Sequence, residues 1–268
     1  MLLTRHARMA ELIDLSGYVE ENQPALGGHE TVFWTLTTHE EAGYRDEQAL
    51  GPDESGNETL ARKLRARRQG SDEIHPKDRA ILMSEHGPTH VDALAHLDSS
   101  MDTTIDEMPL ERFYGPAVGL DVSHLLEESE YVTVDVLRSE LDREGLELAD
   151  GDTVTLHTGH RAAHYGRDVE SRYDYLHRYI GLDREAATWL AEVGVTNVGI
   201  DAPSIDHSAG TAAKDHPAHD VCAEYEMLNT ENMANLDRVA GRRYTFCCFP
   251  LKLREGTGSP VRPVAILD

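Results

Sequence analysis

The chain has 268 residues, of which 40% are hydrophobic, so it is long enough to build a full hydrophobic core. Its 49 acidic side chains against 25 lysines and arginines give a formal net charge of −24. A charge of this sign disfavours nucleic-acid backbones and anionic membranes as partners. The acids are spread over the whole chain, which we interpret as an adaptation to high salt. This predicts a halophilic source and loss of structure in low-salt buffer.

The N-terminus and the cysteines indicate where the protein works. The first seventeen residues, MLLTRHARMAELIDLSG, lack the apolar core that a signal peptide needs. No stretch approaches the ~20 apolar residues of a membrane span. The cysteines are odd in number, and two of them, Cys247 and Cys248, are adjacent, which argues for a reducing compartment. We therefore expect a soluble, cytoplasmic protein.

Strands and helices are mixed along the chain, in the order that their patterns predict. A short strand or turn entry is predicted at 10–15, and strands at 30–38, 80–83, 117–122, 153–158, 195–200, 244–251 and 264–267. Helices are predicted at 57–69, 134–144 and 183–193, the last two of which are followed by a glycine. No repeat or linker divides the pattern. We expect one α/β or α+β domain over 1–268, with the polar segment 45–79 as a possible insertion.

The stretch SEHGPTHVDALAHLD concentrates polar side chains between apolar ones. Gly87-Pro88 forbids a continuous helix, so His90 and Asp92 are expected in extended chain, where residues two apart share a face. The bend could fold His86 back toward them. Two imidazoles and a carboxylate suit a divalent transition metal. His96 could be a further ligand or a base beside the metal. The alternative is a polar surface loop, because the chain has 15 histidines.

A second polar region lies downstream, in DAPSID (201–206) and DHPAHDVCAEYEMLNTENMANL (215–236). Its His219 and Glu231 stand out, although each is a weak signal alone. The blocks taken together resemble the cyclase family of metal-dependent hydrolases, which includes kynurenine formamidase and isatin hydrolase. The family signature, a histidine before a THxDAPxH block, is matched from His86 to His96, with Leu94 in place of the usual proline. The blocks DLS (14–16), GDTVTLHTG (151–159) and 181–206 are similar to family elements as well.

The resemblance implies an α/β fold with a swivelling β/β/α barrel-like arrangement in a homo-oligomer, a dimer or tetramer. It implies one metal ion bound by His86, His90 and Asp92, and a second ion, if present, bound by His219. Asp92 and Glu231 could bridge the two ions. The cofactor would be Zn or Mn, as one or two ions, since histidine with carboxylate suits either.

The expected reaction follows from the metal. A bound metal makes hydroxide available near neutral pH, and the resemblance implies His96 as general acid/base. We expect hydrolysis of an aryl formamide such as N-formylkynurenine, or of a cyclic amide. Alternatives are a cyclase or dehydratase acting on a hydroxylated carbonyl compound, and a metal-binding protein without catalysis.

Some side chains have two interpretations. Trp34 could stack on an aromatic substrate or belong to the core. Ser204 could donate to the substrate or form a turn after Pro203. His160 and His164 are expected at the surface rather than at the pocket mouth.

Overall fold

The structure, a computed structural model, describes residues 10–21, 23–24, 31–37, 78–126, 131–166, 168–208 and 215–267. These fall into two compact units, one of residues 31–83 and one of residues 1–30 with 84–268. The predicted helix at 57–69 and nearly all of the predicted insertion at 45–79 lie outside the described residues. The single-domain organisation therefore stays a prediction.

The described strands are short. In chain order they are β1 (Glu11–Asp14), β2 (Val32–Thr37), β3 (Asp78–Leu82), β4 (His90–Asp92), β5 (Tyr114–Asp121), β6 (Tyr131–Val132), β7 (Thr153–His157), β8 (Gly181–Leu182), β9 (Asn197–Ile200), β10 (Leu228–Glu231), β11 (Arg242–Cys247), β12 (Gly258–Pro260) and β13 (Val264–Leu267). The helices are α1 (Leu94–Leu97), α2 (Val134–Glu144), α3 (His160–His164), α4 (Val169–His177), α5 (Arg184–Val193) and α6 (Pro217–Tyr225). Single 3₁₀ turns lie at Leu110–Phe113, Ser123–Leu125 and Leu236–Arg238.

Nine strands of the larger unit form one mixed sheet in the order β1-β13-β11-β5-β7-β9-β10-β4-β12. Its centre, β5-β7-β9-β10, is parallel, and β4 pairs antiparallel with both β10 and β12. In the same unit β6 and β8 form a parallel pair. The 31–83 unit contains the antiparallel pair β2-β3. The predicted mixed α/β fold is confirmed. Within the described residues no helix is long and apolar enough to cross a membrane.

Helix α5 shows how local sequence signals set the elements. The Asp183 carboxylate accepts a hydrogen bond from Ala186 N at 2.7 Å and caps the helix start, while Gly194 ends it in a left-handed conformation. The apolar face, which includes Leu190, is buried in the same core cluster as Val198 of β9. Helix α2 is built alike, so both helices lie where their patterns predict.

Two expectations differ from the structure. The predicted strand 244–251 ends at Cys247, because Cys248 N leaves the ladder and bonds to Phe113 O at 2.8 Å. The surface position expected for His160 is wrong. Its side chain is fully buried, its ring stacks on Tyr175, and its Nε2 donates to Tyr175 O at 2.8 Å. Its Gly159 N-cap and the turn of α3 direct it inward.

Candidate metal centre

Strand β4 contains the predicted ligands His90 and Asp92. Its pairing with β10 places a third predicted ligand, Glu231, next to them. His90 lies directly opposite Glu231 in the antiparallel register. Because side chains alternate along a strand, His90 and Asp92 point to one face with Glu231, and Val91 points to the other, into the core. The extended conformation expected for His90 to Asp92 is confirmed.

The five predicted metal ligands come together around the Asp92 carboxylate. His86 Nδ1 lies 2.7 Å from Asp92 Oδ1, and His90 Nε2 lies 3.5 Å from the same oxygen. His219 Nε2 lies 3.6 Å from Asp92 Oδ2. Glu231 closes the group, with Oε2 3.5 Å from His90 Nε2 and Oε1 3.5 Å from His219 Nε2.

Each of the three ligand histidines has its outer ring nitrogen in a hydrogen bond. The partners are Thr257 Oγ1 for His86 Nε2 at 2.9 Å, Pro88 O for His90 Nδ1 at 3.1 Å, and Asp206 Oδ2 for His219 Nδ1 at 2.6 Å. In a neutral imidazole, a nitrogen that donates outward leaves the other nitrogen with a lone pair that a metal ion in the shared space can bind. This is the usual arrangement of metal-binding histidines.

Several of the distances between these atoms match the spacing of ligands around a divalent metal. A tetrahedral ion with bonds of about 2.1 Å spaces its ligand atoms roughly 3.4 Å apart. His90 Nε2 has that spacing from the carboxylate oxygens of Asp92 and Glu231, and these three residues form a fully buried His-Asp-Glu group. Asn229 fixes the central carboxylate, because its Nδ2 donates to Asp92 Oδ2 at 2.6 Å. The residues present therefore fit such an ion.

The electrostatics of the group also favour a cation. Burial, together with the negative charge of Asp92, raises the pKa of Glu231 to about 7, although His219 opposes this. Burial would raise the pKa of Asp92 too, but the nearby imidazoles of His219, at 3.6 Å, and His86, at 2.7 Å, hold it well below its usual value. The negative charges of these two buried carboxylates repel each other, and a divalent ion between them would stabilise both as anions.

His96 lies beside these ligands on α1. Its Nε2 is 4.0 Å from Asp92 Oδ2, its ring centroid is 4.0 Å from that of His86, and its side chain is 42% exposed. Burial lowers its pKa, and the neighbouring imidazoles of His86 and His219 lower it further. The buried Leu94 begins α1, so here a helical turn directs His96 where the family has proline.

The described contacts do not link the two predicted substrate-binding residues, Ser204 and Trp34, directly to the metal ligands. Ser204 lines the same cavity, and its Oγ accepts a hydrogen bond from Asp206 N at 3.1 Å, which is a turn-forming contact. Trp34 lies in β2 opposite Ala80, in the 31–83 unit, and its side chain is outside the described residues. Their roles toward a substrate stay predictions.

A cavity of about 410 Å³ opens onto these ligands. Its described lining includes Pro24, Pro88, Pro203 and Leu97 as apolar walls. A pocket of this size with apolar walls and a few convergent polar groups suits a small molecule.

Three contacts of the centre were not predicted from the sequence. Asp206 belongs to DAPSID and Asn229 to the polar stretch 215–236, so both lie in segments whose composition already indicated a second polar region. Thr257 had no such signal, because it lies 171 residues from the His86 that it contacts. The pairing of β12 with β4, together with the hydrogen bond from Ala93 N to Thr257 O at 2.9 Å, brings Thr257 to the site.

Comparisons with known proteins agree on the family. The family model described as "Putative cyclase" matches residues 13–207. Kynurenine formamidase of Salinibacter ruber (strain DSM 13855 / M31) is 29% identical over 197 residues, 74% of this chain and 83% of that protein. Kynurenine formamidase of Bacillus thuringiensis (strain Al Hakam) is 31% identical over 184 residues, 69% of this chain and 77% of that protein.

Solved structures share the fold over nearly the whole chain. Isatin hydrolase A from Labrenzia aggregata, bound to benzyl benzoate, superposes with a TM-score of 0.74 at 22% identity, covering 96% of this chain and 94% of that one. Isatin hydrolase A from Ralstonia solanacearum gives a TM-score of 0.76 at 21% identity, over 97% and 92% of the two chains. On its matched residues and its fold, the chain belongs to the cyclase family.

Proposed function

We propose that the protein is a metal-dependent hydrolase that uses water to cleave the carbon–nitrogen bond of an aryl formamide or a cyclic amide. The observation that carries this proposal is the convergence of three histidine nitrogens and two carboxylates at one cavity. The names of the relatives, kynurenine formamidase and isatin hydrolase, support the same class of bond. The kynurenine formamidases suggest N-formylkynurenine as the first compound to test.

His86, His90, Asp92, His219 and Glu231 would hold a divalent ion, Zn or Mn, and this ion would supply Lewis acidity and lower the pKa of bound water toward neutral pH. The chain holds these ligands rigidly, since His90, Asp92 and Glu231 stand on paired strands. One or two ions are compatible with this set, in which Asp92 contacts all three of the histidines and Glu231 contacts two of them.

His96 is proposed to carry the proton. Its lowered pKa keeps the imidazole neutral at pH 7, so Nε2 can accept a proton from the attacking water. An oxygen–carbon bond forms, the carbon–nitrogen bond breaks, and His96 returns the proton to the leaving nitrogen. His96 lines the cavity and its side chain is 42% exposed, so the imidazole is accessible to a bound substrate.

The cavity walls support an aryl substrate. Pro24, Pro88 and Pro203 present flat apolar surface, and no lysine or arginine lines the cavity among the described residues. An aromatic ring can lie against such walls while its amide carbonyl faces the ligands. We further propose that Ser204 donates to the substrate and that Trp34 stacks on its ring. A homo-oligomeric, cytoplasmic enzyme is part of the proposal.

The direct experiment is metal removal and return. The protein is stripped with a chelator, reloaded with Zn or Mn, and assayed with N-formylkynurenine by formate release and with isatin by ring opening. We expect hydrolysis to return in proportion to bound metal. Stoichiometric metal without turnover of any amide in the panel would instead favour a metal-binding protein without catalysis.

Two variants separate the proposed roles. His90→Ala should lose metal, because a buried ligand is removed from the centre. His96→Ala should keep its metal and lose roughly 10²- to 10⁴-fold in kcat. His124→Ala is the matched control, since His124 is comparably exposed and is not in the cavity lining. Retention of full kcat by His96→Ala would remove His96 from the proton-transfer role.

A further inference from the structure

Asp206 is a completely buried carboxylate beside the proposed metal centre. Its Oδ2 lies 2.6 Å from His219 Nδ1, and its Oδ1 accepts a hydrogen bond from Ala218 N at 2.7 Å. His216 Nδ1 is 3.3 Å from the same Oδ2. The carboxylate thus holds the first turn of α6 and the imidazole that α6 carries.

The backbone of Asp206 is itself fixed. Leu182 N donates to Ile205 O at 2.8 Å, and Leu182 forms an isolated parallel bridge with Asp206. Gly181 packs so closely that a Cβ there would lie 2.2 Å from the Asp206 carbonyl carbon. The position therefore requires glycine, and the carboxylate is presented from rigid backbone.

The residue before Asp206 contacts another ligand. Ile205 N donates to Glu231 Oε1 at 2.9 Å, and the same oxygen lies 3.5 Å from His219 Nε2. One short segment therefore holds two predicted ligands that stand on different elements, His219 on α6 and Glu231 on β10. The distance between these two ligands depends on this segment.

We propose that Asp206 is a positioning residue that holds His219 with Nδ1 as donor and Nε2 aimed at the metal. The carboxylate sets the ring orientation and increases the basicity of Nε2, as carboxylates behind metal-binding histidines do. Loss of such a partner typically weakens metal binding 10- to 100-fold. The inference deepens the proposed function, because it rests on the metal centre of that function.

The test measures Zn²⁺ affinity by competition with a chromogenic chelator, without any substrate. Asp206→Ala should bind Zn²⁺ about 10- to 100-fold more weakly, and Asp206→Asn, which keeps one acceptor oxygen, should fall between it and the wild type. Asp183→Asn is the matched control, because Asp183 also accepts from a helix N-terminus but contacts no ligand. The control should keep wild-type Zn²⁺ affinity even if the midpoint of its thermal unfolding falls.

A double-mutant cycle distinguishes positioning from a general structural role. In a His219→Ala background, Asp206→Asn should change Zn²⁺ affinity less than threefold, since the residue that it positions is gone. Asp206→Asn is used because it is the milder change if Asp206→Ala does not fold. Equal losses in both backgrounds, or unchanged affinity in the native background, would overturn the proposal.

The two proposals can fail separately. A wild type that binds Zn²⁺ but hydrolyses no amide overturns the proposed activity and leaves the role of Asp206 intact. An Asp206→Asn variant that binds Zn²⁺ as tightly as the wild type overturns the role of Asp206, whatever the enzyme hydrolyses. A wild type that binds neither Zn²⁺ nor Mn²⁺ overturns both.

Discussion

The buried His160 makes the stability of the protein depend on pH in a predictable direction. Burial lowers the pKa of His160 from 6.5 to about 4, although its hydrogen bond to Tyr175 O opposes this. As pH falls through 6.5 the unfolded chain binds a proton that the folded protein does not. The stabilisation is therefore fully present above pH 6.5, is lost on acidification, and stops changing below about pH 4.

The size of the effect follows from the two pKa values. A difference of about 2.5 pKa units corresponds to roughly 3 kcal/mol in all, at about 1.36 kcal/mol per unit. Between pH 7 and pH 5 we expect a loss of roughly 2 kcal/mol in the free energy of unfolding from this group.

Urea unfolding at pH 7 and pH 5, at one fixed high salt concentration, measures the contribution of His160 to the free energy of unfolding when the wild type is compared with a variant that does not titrate. His160→Gln can still donate to Tyr175 O but does not titrate, so its stability should fall about 2 kcal/mol less than that of the wild type. His164→Gln is the control, since its ring is 4.9 Å from that of His160 and only partly buried. Equal pH dependence in the wild type and in His160→Gln would refute the reasoning.

Three further perturbations have expected outcomes. Thr89→Val should lose about 1–3 kcal/mol of stability in thermal unfolding, because the part-buried Gly17 N loses its acceptor at 2.8 Å and Asn232 O loses its donor at 2.6 Å, while the bond from Arg161 at 3.4 Å remains. Thr89→Ser should lose much less, and an unchanged unfolding midpoint in the valine variant would contradict this. Gly258→Ala should weaken Zn²⁺ binding about tenfold, because its Cβ would lie 2.7 Å from His86 Cε1; unchanged affinity in the chelator competition would show that the ring adapts. Dialysis into salt-free buffer should reduce far-ultraviolet circular dichroism, given the −24 charge, and a full signal there would count against adaptation to salt.

The sequence predicted those parts of the fold that local signals determine. Helix α5 has an acidic cap, an apolar face and a terminal glycine within a dozen residues, so its bounds could be read directly. The bounds of strand β10 could not be read from the sequence, because LNTE contains one apolar residue and owes its burial to its pairing with β9 and β4. Helix α6 was missed for a related reason, as its histidine and acids hide a buried face that includes Val221.

The candidate site divides in the same way. His86, His90, Asp92 and His96 could be predicted because they lie within eleven residues, and His219 and Glu231 because of the family resemblance. The residues that hydrogen-bond to these side chains could not be predicted. Sequence spacing does not show that Asp206 meets His219 or that Thr257 meets His86, since such contacts depend on sheet order and on where each connection returns.

The opposition of His90 and Glu231 across β4 and β10 has a consequence for folding. A one-residue slip between these strands would turn His90 and Asp92 away from Glu231, so only correctly registered molecules contain the centre. A metal ion present during refolding would then select the native register, and at a thousandfold excess over Kd would stabilise it by about 4 kcal/mol. Zn²⁺ uptake could therefore serve as an assay of correct strand pairing, and single-residue insertions in either strand should abolish it.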